Sequence, residues 1–468
     1  MRLLQIALLA ALGFQASSID SRAQELTEAQ AWEEVELLYT TIVERHPDPF
    51  WFNDEEQWDA EMERLRARRG PVTHVEQYFD LSRLMALATD THVQIYPGEN
   101  TPGFETSYPI RFRLFEEGIY IIAANGTYRD WVGARIVSID GLDTEEIIDT
   151  LDDYSFSDHP LRKRTYAVSY QLRHPSTFQY FGWTNDRGGV DVELELLDGT
   201  HMRGEIFETV DMSHDEVGSS DATAGYYWPE GWRTLDDIIS GEPPVSRQHL
   251  DRNYWYTFLE EGRVLYFQFN SPTNEEDGQS IYDFTLEMFA DIGARENPPE
   301  QVIVDARYNL GGWIHYTLPF GYLLQTSEAC CRRGTVVLLT GRETISAGSV
   351  FAGSFERATR AVVIGEPTGG RPNLFLGHQP VELPYSGLRP EISTETYVGT
   401  DSTDDRMFVA PDVYVPESFA AVMEGGDPAF EAARALTREE ALSYYPGATA
   451  DTPWTRPSQE SARQQSLQ

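Results

Sequence analysis

The apolar positions change period along the chain, and each change marks a candidate domain. Between residues 25 and 90 they recur at helical spacing: Trp32, Val35, Leu38 and Ile42, then Trp58, Met62 and Leu65, then Tyr78, Leu81, Leu84 and Met85. His46-Pro47-Asp48-Pro49 and Arg69-Gly70-Pro71 interrupt the pattern, which predicts a small helical cap over 24–104. From 105 to 210 the runs are short and of β type, at 110–114, 119–122 and 190–194, with Gly, Asn and Asp between them. They predict a β-rich middle domain, with a helix from Thr144 to Leu151. Residues 211–254 are polar and rich in Gly, Ser and Pro, and read as a linker. From 255 to 445 the pattern is α/β. Continuous apolar runs at 264–269, 302–304, 336–339 and 361–364 read as strands buried on both faces, and helical stretches at 280–293, 315–325 and 349–358 follow the first three. A layered αβ core is the result.

The two ends fall outside this pattern. Met1-Arg2 gives a positive start, Leu3 to Phe14 is mostly apolar, and Ser21-Arg22-Ala23 has the small-x-small form of a cleavage site. Residues 1–23 are therefore expected to be a signal peptide, and the protein to be periplasmic or extracellular. That apolar run is shorter than the roughly 20 residues that span a bilayer, and no later stretch is more apolar, so no integral membrane span is expected. Residues 446–468 are polar and rich in Ser, Gln and Pro, as in a disordered tail.

Composition narrows the functional classes. The 41% of hydrophobic residues is enough for sizeable cores. Acidic residues outnumber basic ones by 76 to 36, and a formal charge of -40 disfavours nucleic acid and anionic lipid as partners. Peptide or protein partners remain, with cationic or neutral ones favoured by the net charge. Lys163 is the one lysine, so a mechanism that needs lysine must use it. The two cysteines, Cys330 and Cys331, are adjacent and give no disulfide framework; buried thiols and a vicinal disulfide are both open. The ten histidines are scattered without H-E-x-x-H or C-x-x-C, so neither a metal nor a cofactor is expected.

Two segments carry chemistry. Thr344-Ile345-Ser346-Ala347-Gly348-Ser349 follows a predicted buried strand and opens a predicted helix. A serine there stands exposed at a strand end, and the Ala347 amide lies at the helix N-terminus, where free N–H groups favour a developing oxyanion. A serine before a helix is also the ordinary N-cap, and this segment alone does not separate the two roles. The second segment, Asp305-Ala306-Arg307-Tyr308-Asn309-Leu310-Gly311-Gly312, ends a strand in a glycine turn whose N–H groups can approach a ligand closely.

Taken together, Asp-x-Arg-x-Asn-x-Gly-Gly at 305–312, Ser-Ala-Gly-Ser-Val-Phe-Ala at 346–352, Ile-Gly-Glu-Pro-Thr at 364–368 and Ala-Pro-Asp-Val-Tyr-Val at 410–415 resemble the successive motifs of the C-terminal-processing and tricorn-type serine peptidases. The resemblance implies a ClpP- or crotonase-like layered αβ core, with the helical cap and the middle domain attached to it. Within that middle domain, Gly133-Ala134-Arg135-Ile136-Val137-Ser138-Ile139-Asp140-Gly141 before the helix resembles the second half of a PDZ domain, although no Gly-Leu-Gly-Phe loop is present. A PDZ-like and a plain structural β-domain are both open.

The resemblance also assigns residues. Ser346 takes the place of the nucleophile, and Gly311, Gly312 and Ala347 those of the oxyanion donors. Ser-Lys members carry lysine where this chain has Arg371, and an arginine stays protonated and cannot act as a base. Lys163 lies in Leu161-Arg162-Lys163-Arg164, which reads as a solvated charge run. The Ser-His branch fits instead, with His92 in Asp90-Thr91-His92-Val93 on the family's histidine and Thr91 at a position that helps orient it. A carboxylate should complete the relay; Glu395 is the candidate, with Glu391 and Asp90 as competitors. The implied activity is peptide-bond hydrolysis by a secreted enzyme. The alternative on the same fold is a catalytically inactive protein that binds a peptide or a hydrophobic ligand.

Overall fold

The computed structural model describes residues 25–97, 101–211, 231–239, 241–275, 278–321 and 335–445. Residues 1–23, expected to be a signal peptide, the Cys330-Cys331 pair and the segment from 446 lie outside the described residues.

Apolar runs that alternate with helices form a parallel sheet buried on both faces, and this is the core observed. Six strands lie in chain order: Tyr254–Leu259, Val264–Phe269, Gln301–Asp305, Thr335–Thr340, Val362–Gly365 and Val413–Tyr414. The first pair is antiparallel and the rest are parallel, with Val264 opposite Gln301 and Gln301 opposite Thr335. Every residue of 264–269, 301–305, 335–340 and 362–365 is buried. Full burial of each such Val, Leu, Ile or Phe contributes about 1.5–3 kcal/mol. The helix Ile281–Ala294 sends Ile281, Phe284, Met288 and Ile292 into this core at helical spacing, and Phe351 and Phe355 enter it from the helix Ala347–Ala358. The strand Tyr254–Leu259 lies at the end of the predicted linker. Only its first residue is fully buried, and the other five are half-buried at the edge of the sheet. Of the predicted 315–325 helix, the described part holds the 3-10 turn Ile314–Thr317 followed by α-helical residues 318–321.

The middle domain is less purely β than its sequence suggests. A sheet carries Ile110–Phe115, Gly118–Ala124, Arg135–Ile139, Val190–Glu195 and His201–Ile206. The expected helix runs Thr144–Asp152, and two further helices, Pro160–Ser169 and Pro175–Phe181, follow it. Pro160 and Pro175 each stand at the first position of a helix, where a missing N–H costs nothing. The described part of the predicted linker is not free either, because Arg233–Thr234 pairs with Ala123 and Ala124 and extends this sheet.

Three helices, Glu28–Arg45, Glu55–Arg66 and His74–Ala86, form the cap. Thr27, Asp54 and Thr73 begin them, each with a Gln or Glu three residues on that returns the hydrogen bond. Trp58 is fully buried between the rings of Tyr39 and Phe50. Leu383, Leu388 and Ile392, from the C-terminal half of the chain, complete this cap cluster. Next to it, Gln94–Tyr96 pairs antiparallel with Arg389–Ile392. That pairing brings the segment after the third helix to the edge of the αβ core.

Candidate active site

Ser346 is placed by a turn that its neighbours hold rigidly. Past the strand Thr335–Thr340, Thr344 Oγ1 donates to Ala306 O at 2.8 Å and accepts from the Gly341 N–H at 3.0 Å, and the Ile345 N–H donates to Asn309 O at 3.0 Å. Asn309 Nδ2 donates in turn to Phe269 O at 2.8 Å. A side chain at Gly348 would lie 2.5 Å from Asn309 O, so only glycine lets this loop meet the helix. The chain turns sharply here, and Ser346 takes φ 52° and ψ -126°. A non-glycine residue in that region is strained, and such strain is kept where surrounding contacts over-determine it. Ser346 occupies the N-cap position of the helix Ala347–Ala358, but its side chain makes no capping hydrogen bond. Its Oγ lies 3.0 Å from His92 Nε2 instead. Ser349 is buried, and its hydroxyl donates to Thr344 O at 2.8 Å.

His92 follows the cap's third helix on an irregular segment. Trp51 Nε1 donates to Ala88 O at 3.0 Å and Asn53 Nδ2 to Leu87 O at 2.7 Å, and Thr89 stands at φ 47°. Asp90, 1% exposed, lies beneath the imidazole. Its Oδ1 accepts the His92 backbone N–H at 2.9 Å and stands 3.7 Å from His92 Nδ1. That second distance makes an ion pair and not a hydrogen bond, and His92 Nδ1 has no hydrogen-bond partner among the described residues. Asp90 Oδ2 lies 3.2 Å from His46 Nε2 and accepts from Ser393 Oγ at 2.5 Å. Burial pushes the Asp90 carboxyl up, but the contacts to His46 and His92 outweigh it and hold the group well below the usual carboxylate range. For His92 burial likewise acts first, favouring the neutral ring; Asp90 and then Asp158 outweigh it, and the imidazole is held above its ordinary value.

Two sequence expectations need correction. Glu395 is exposed at the start of the strand Glu395–Val398, which pairs with Asn373–Leu376, and it does not reach His92. The carboxylate beside His92 is Asp90, the competitor in the preceding turn. From the neighbourhood of Glu395 it is Ser393 that contributes, through its bond to Asp90. Thr91 does not touch His92 either. Its Oγ1 donates to Asp158 Oδ2 at 2.7 Å instead. Glu391 pairs with His378, whose ring stands edge-on to His92 at 4.7 Å.

Asp158 is the site residue that sequence reasoning missed. It lies two residues before the helix Pro160–Ser169 and brings the middle domain into the site. Burial, followed by repulsion from Asp90, pushes its carboxyl up to about 6. Lys163, on the same helix, is not part of a solvated charge run. It is half-buried near Asp152, Asp153 and Asp158, and burial lowers its pKa.

The glycine turn stands against Ser346. A Cβ on Gly311 would lie 2.5 Å from Ser346 Cβ and 3.1 Å from the Ala347 nitrogen, and Gly311 holds φ +95°. Its own N–H is donated to Asn309 Oδ1 at 3.1 Å. Among the described residues the N–H groups of Gly312 and Ala347 have no such partner, which makes them the better-placed pair of oxyanion donors. The charged residues of the other motifs hold the core. Arg307 grips Asp305 and Asp427 with both edges of its guanidinium, and Arg342 pairs with buried Glu366. Among the described residues no three His, Cys, Asp or Glu side chains converge as a metal site, and no helix is long and apolar enough to cross a membrane.

The sequence model of peptidase family S41 matches residues 322–415. No curated protein sequence matches this chain. Among solved structures, mature CPAF complexed with lactacystin is 12% identical over 89% of this chain and 98% of that one, with a TM-score of 0.60. Mature CPAF alone is 12% identical over 91% and 99%, with a TM-score of 0.59. Identity at this level carries the fold. The family match spans the segment that holds Ser346, Glu366 and Arg371. The motifs, this match over part of the chain and the shared fold support a serine peptidase related to the S41, tail-specific protease family.

Proposed function

We propose that this chain is a secreted peptidase that hydrolyses peptide bonds through Ser346 and His92. The observation that carries the reading is the 3.0 Å approach of His92 Nε2 to Ser346 Oγ across 254 residues of chain. Ser346 Oγ attacks the scissile carbonyl carbon while its proton passes to His92 Nε2. The imidazolium that forms is stabilised by Asp90, and the negative oxygen by the N–H groups of Gly312 and Ala347. As the tetrahedral intermediate collapses, His92 gives its proton to the leaving amine, and water then repeats the cycle on the acyl-enzyme. The signal-like segment 1–23 supports export to the periplasm or beyond.

The experiment has two parts. Purified mature protein should cleave a mixture of unstructured peptides, Ser346→Ala should cleave none, and the natural N-terminus should begin near Gln24. Peptides bound but left intact by the wild-type protein would favour the ligand-binding alternative. A native protein that still carries Met1 would count against export.

A further inference from the structure

A cavity of about 490 Å³ lies in the helical cap, between the start of the helix Glu28–Arg45, the end of Glu55–Arg66 and the loop that leads into His74–Ala86. None of the residues around it belongs to the site at Ser346. Trp32, Val35, Leu65 and Val72 form its apolar wall. Val72 is tied to Leu26 by two backbone hydrogen bonds of 2.8 Å, and Val35 and Leu65 are buried in the cap cluster, so the wall is fixed by the packing around it. A volume of this size, lined by aliphatic and aromatic groups with a few polar ones among them, falls within the roughly 300–1,000 Å³ of small-molecule sites.

The charges on the lining decide what can enter. Each carboxylate there already has its cation. Asp80 is 2% exposed and accepts from Arg64 Nη2 at 3.1 Å and from Arg68, while burial pushes its carboxyl up against the pull of both arginines. Glu28 accepts the Gly70 N–H at 3.0 Å and lies 3.6 Å from Arg69. The charge left over is Arg66. Among the described residues it makes no ion pair, and its guanidinium carbon stands 5.5 Å from the centre of the Trp32 ring. That ring face attracts the cation to the apolar wall but offers no lone pair to its N–H groups. Arg69 is held beside it, because Arg69 Nη1 donates to Arg66 O and to Arg68 O at 2.7 Å each. A cationic ligand would meet no unpaired carboxylate here, whereas an anion meets Arg66 and then Arg69. Arginines at 64, 66, 68 and 69 make this rim a local exception in a chain of formal charge -40, and a local exception is what would draw an anion in.

We infer that the cap cavity binds a small organic acid, with an aliphatic or aromatic body against Trp32, Val35, Leu65 and Val72 and a carboxylate on Arg66 and Arg69. The inference goes beyond the proposed hydrolysis and stands without it. Two sources share this chemistry, a free aliphatic or aryl acid and the apolar C-terminal residue of a polypeptide. The location ties the site to the rest of the molecule, because Gln77 and Asp80 on its lining belong to the helix that leads into the segment of His92.

The test is titration calorimetry on the mature chain carrying Ser346→Ala, so that no peptide is consumed. The probes are decanoate, indole-3-acetate and an acetylated peptide ending in leucine, each against its amide. At least one acid should saturate a single site per chain and bind about fivefold more tightly than its amide, the upper end for an ion pair at a surface. Saturation by decanoate or indole-3-acetate identifies a free acid, and saturation by the peptide alone identifies a C-terminus. Arg66→Gln combined with Arg69→Gln changes two exposed side chains and should bring the ratio of acid to amide near one. Ala29→Phe, on the exposed first turn of the first cap helix, puts a ring into the cavity and should remove binding of acid and amide alike with little change in melting temperature. If no acid saturates, if the acid binds no more tightly than its amide, or if the preference survives the double arginine variant, the inference is overturned. Failure of the wild-type protein to cleave peptides would sink the peptidase reading alone.

Discussion

Ser346 and His92 meet at 3.0 Å, but they are delivered by different kinds of chain. Ser346 is set by local structure: a buried strand, a turn locked by Thr344 and Asn309, and the start of a helix. His92 is set by distant structure. Its segment is tied to residues 51 and 53 on one side and to residues 389–393 on the other, and the carboxylate beneath it is held by His46 and Ser393. The nucleophile therefore keeps its strained geometry wherever the αβ core folds. The base arrives only when the cap, the core and the 389–393 segment have docked together.

The difference can be broken from either side. The largest effect is expected from the reacting groups themselves. Ser346→Ala and His92→Ala should each reduce hydrolysis by about ten-thousandfold or more with the melting temperature nearly unchanged, and the double variant should be hardly worse than either alone, because the two act as one unit. Roughly additive losses would show that they do not share a step.

Next comes the local half. In Gly311→Ala the new methyl meets Ser346 Cβ at 2.5 Å on a residue held at φ +95°. A strain of about 1–3 kcal/mol should appear in thermal melts, and displacement of the serine should cost activity about a hundredfold. Unchanged kinetics would mean that the glycine turn does not constrain the nucleophile.

The distant half is probed through Asp90. The base must be neutral to accept a proton, so kcat/KM should rise with pH through an ionisation above 6.5, the direction in which Asp90 and Asp158 move His92. Asp90→Asn removes the nearer negative charge and leaves the burial, so this limb should shift to lower pH while the plateau rate falls by about a hundredfold to ten-thousandfold. A plateau loss with no shift of the limb would point to a structural role for Asp90. The smallest effect, within about threefold, is expected for Glu395→Gln, since exposed changes away from the reacting groups rarely alter function. A dead Glu395→Gln would place that carboxylate, and not Asp90, in the relay.

What the sequence made legible follows the same division. Buried parallel strands reveal themselves as continuous apolar runs, and four of the six core strands are visible in this way; the antiparallel edge strand Tyr254–Leu259, half-buried beyond its first residue, falls at the boundary of the predicted linker instead. Ser346 and the Gly311-Gly312 turn are short-range features that a few adjacent residues encode. His92 is visible only through the family resemblance. Asp158 has no local mark at all among 76 acidic residues, and its role depends on a helix whose polar start, Leu161-Arg162-Lys163-Arg164, resembles a solvated surface. Burial of Arg162, Thr165 and Tyr166 on that helix comes from tertiary packing, which overrides the local pattern.

The most direct test of the Ser346–His92 unit is labelling by a fluorophosphonate, read by mass spectrometry as a function of pH. The wild-type protein should gain a single adduct on Ser346, at a rate that rises through the His92 ionisation above 6.5, and His92→Ala should label far more slowly with no such limb. An adduct on another serine, or equal labelling of the wild-type protein and His92→Ala, would contradict the account.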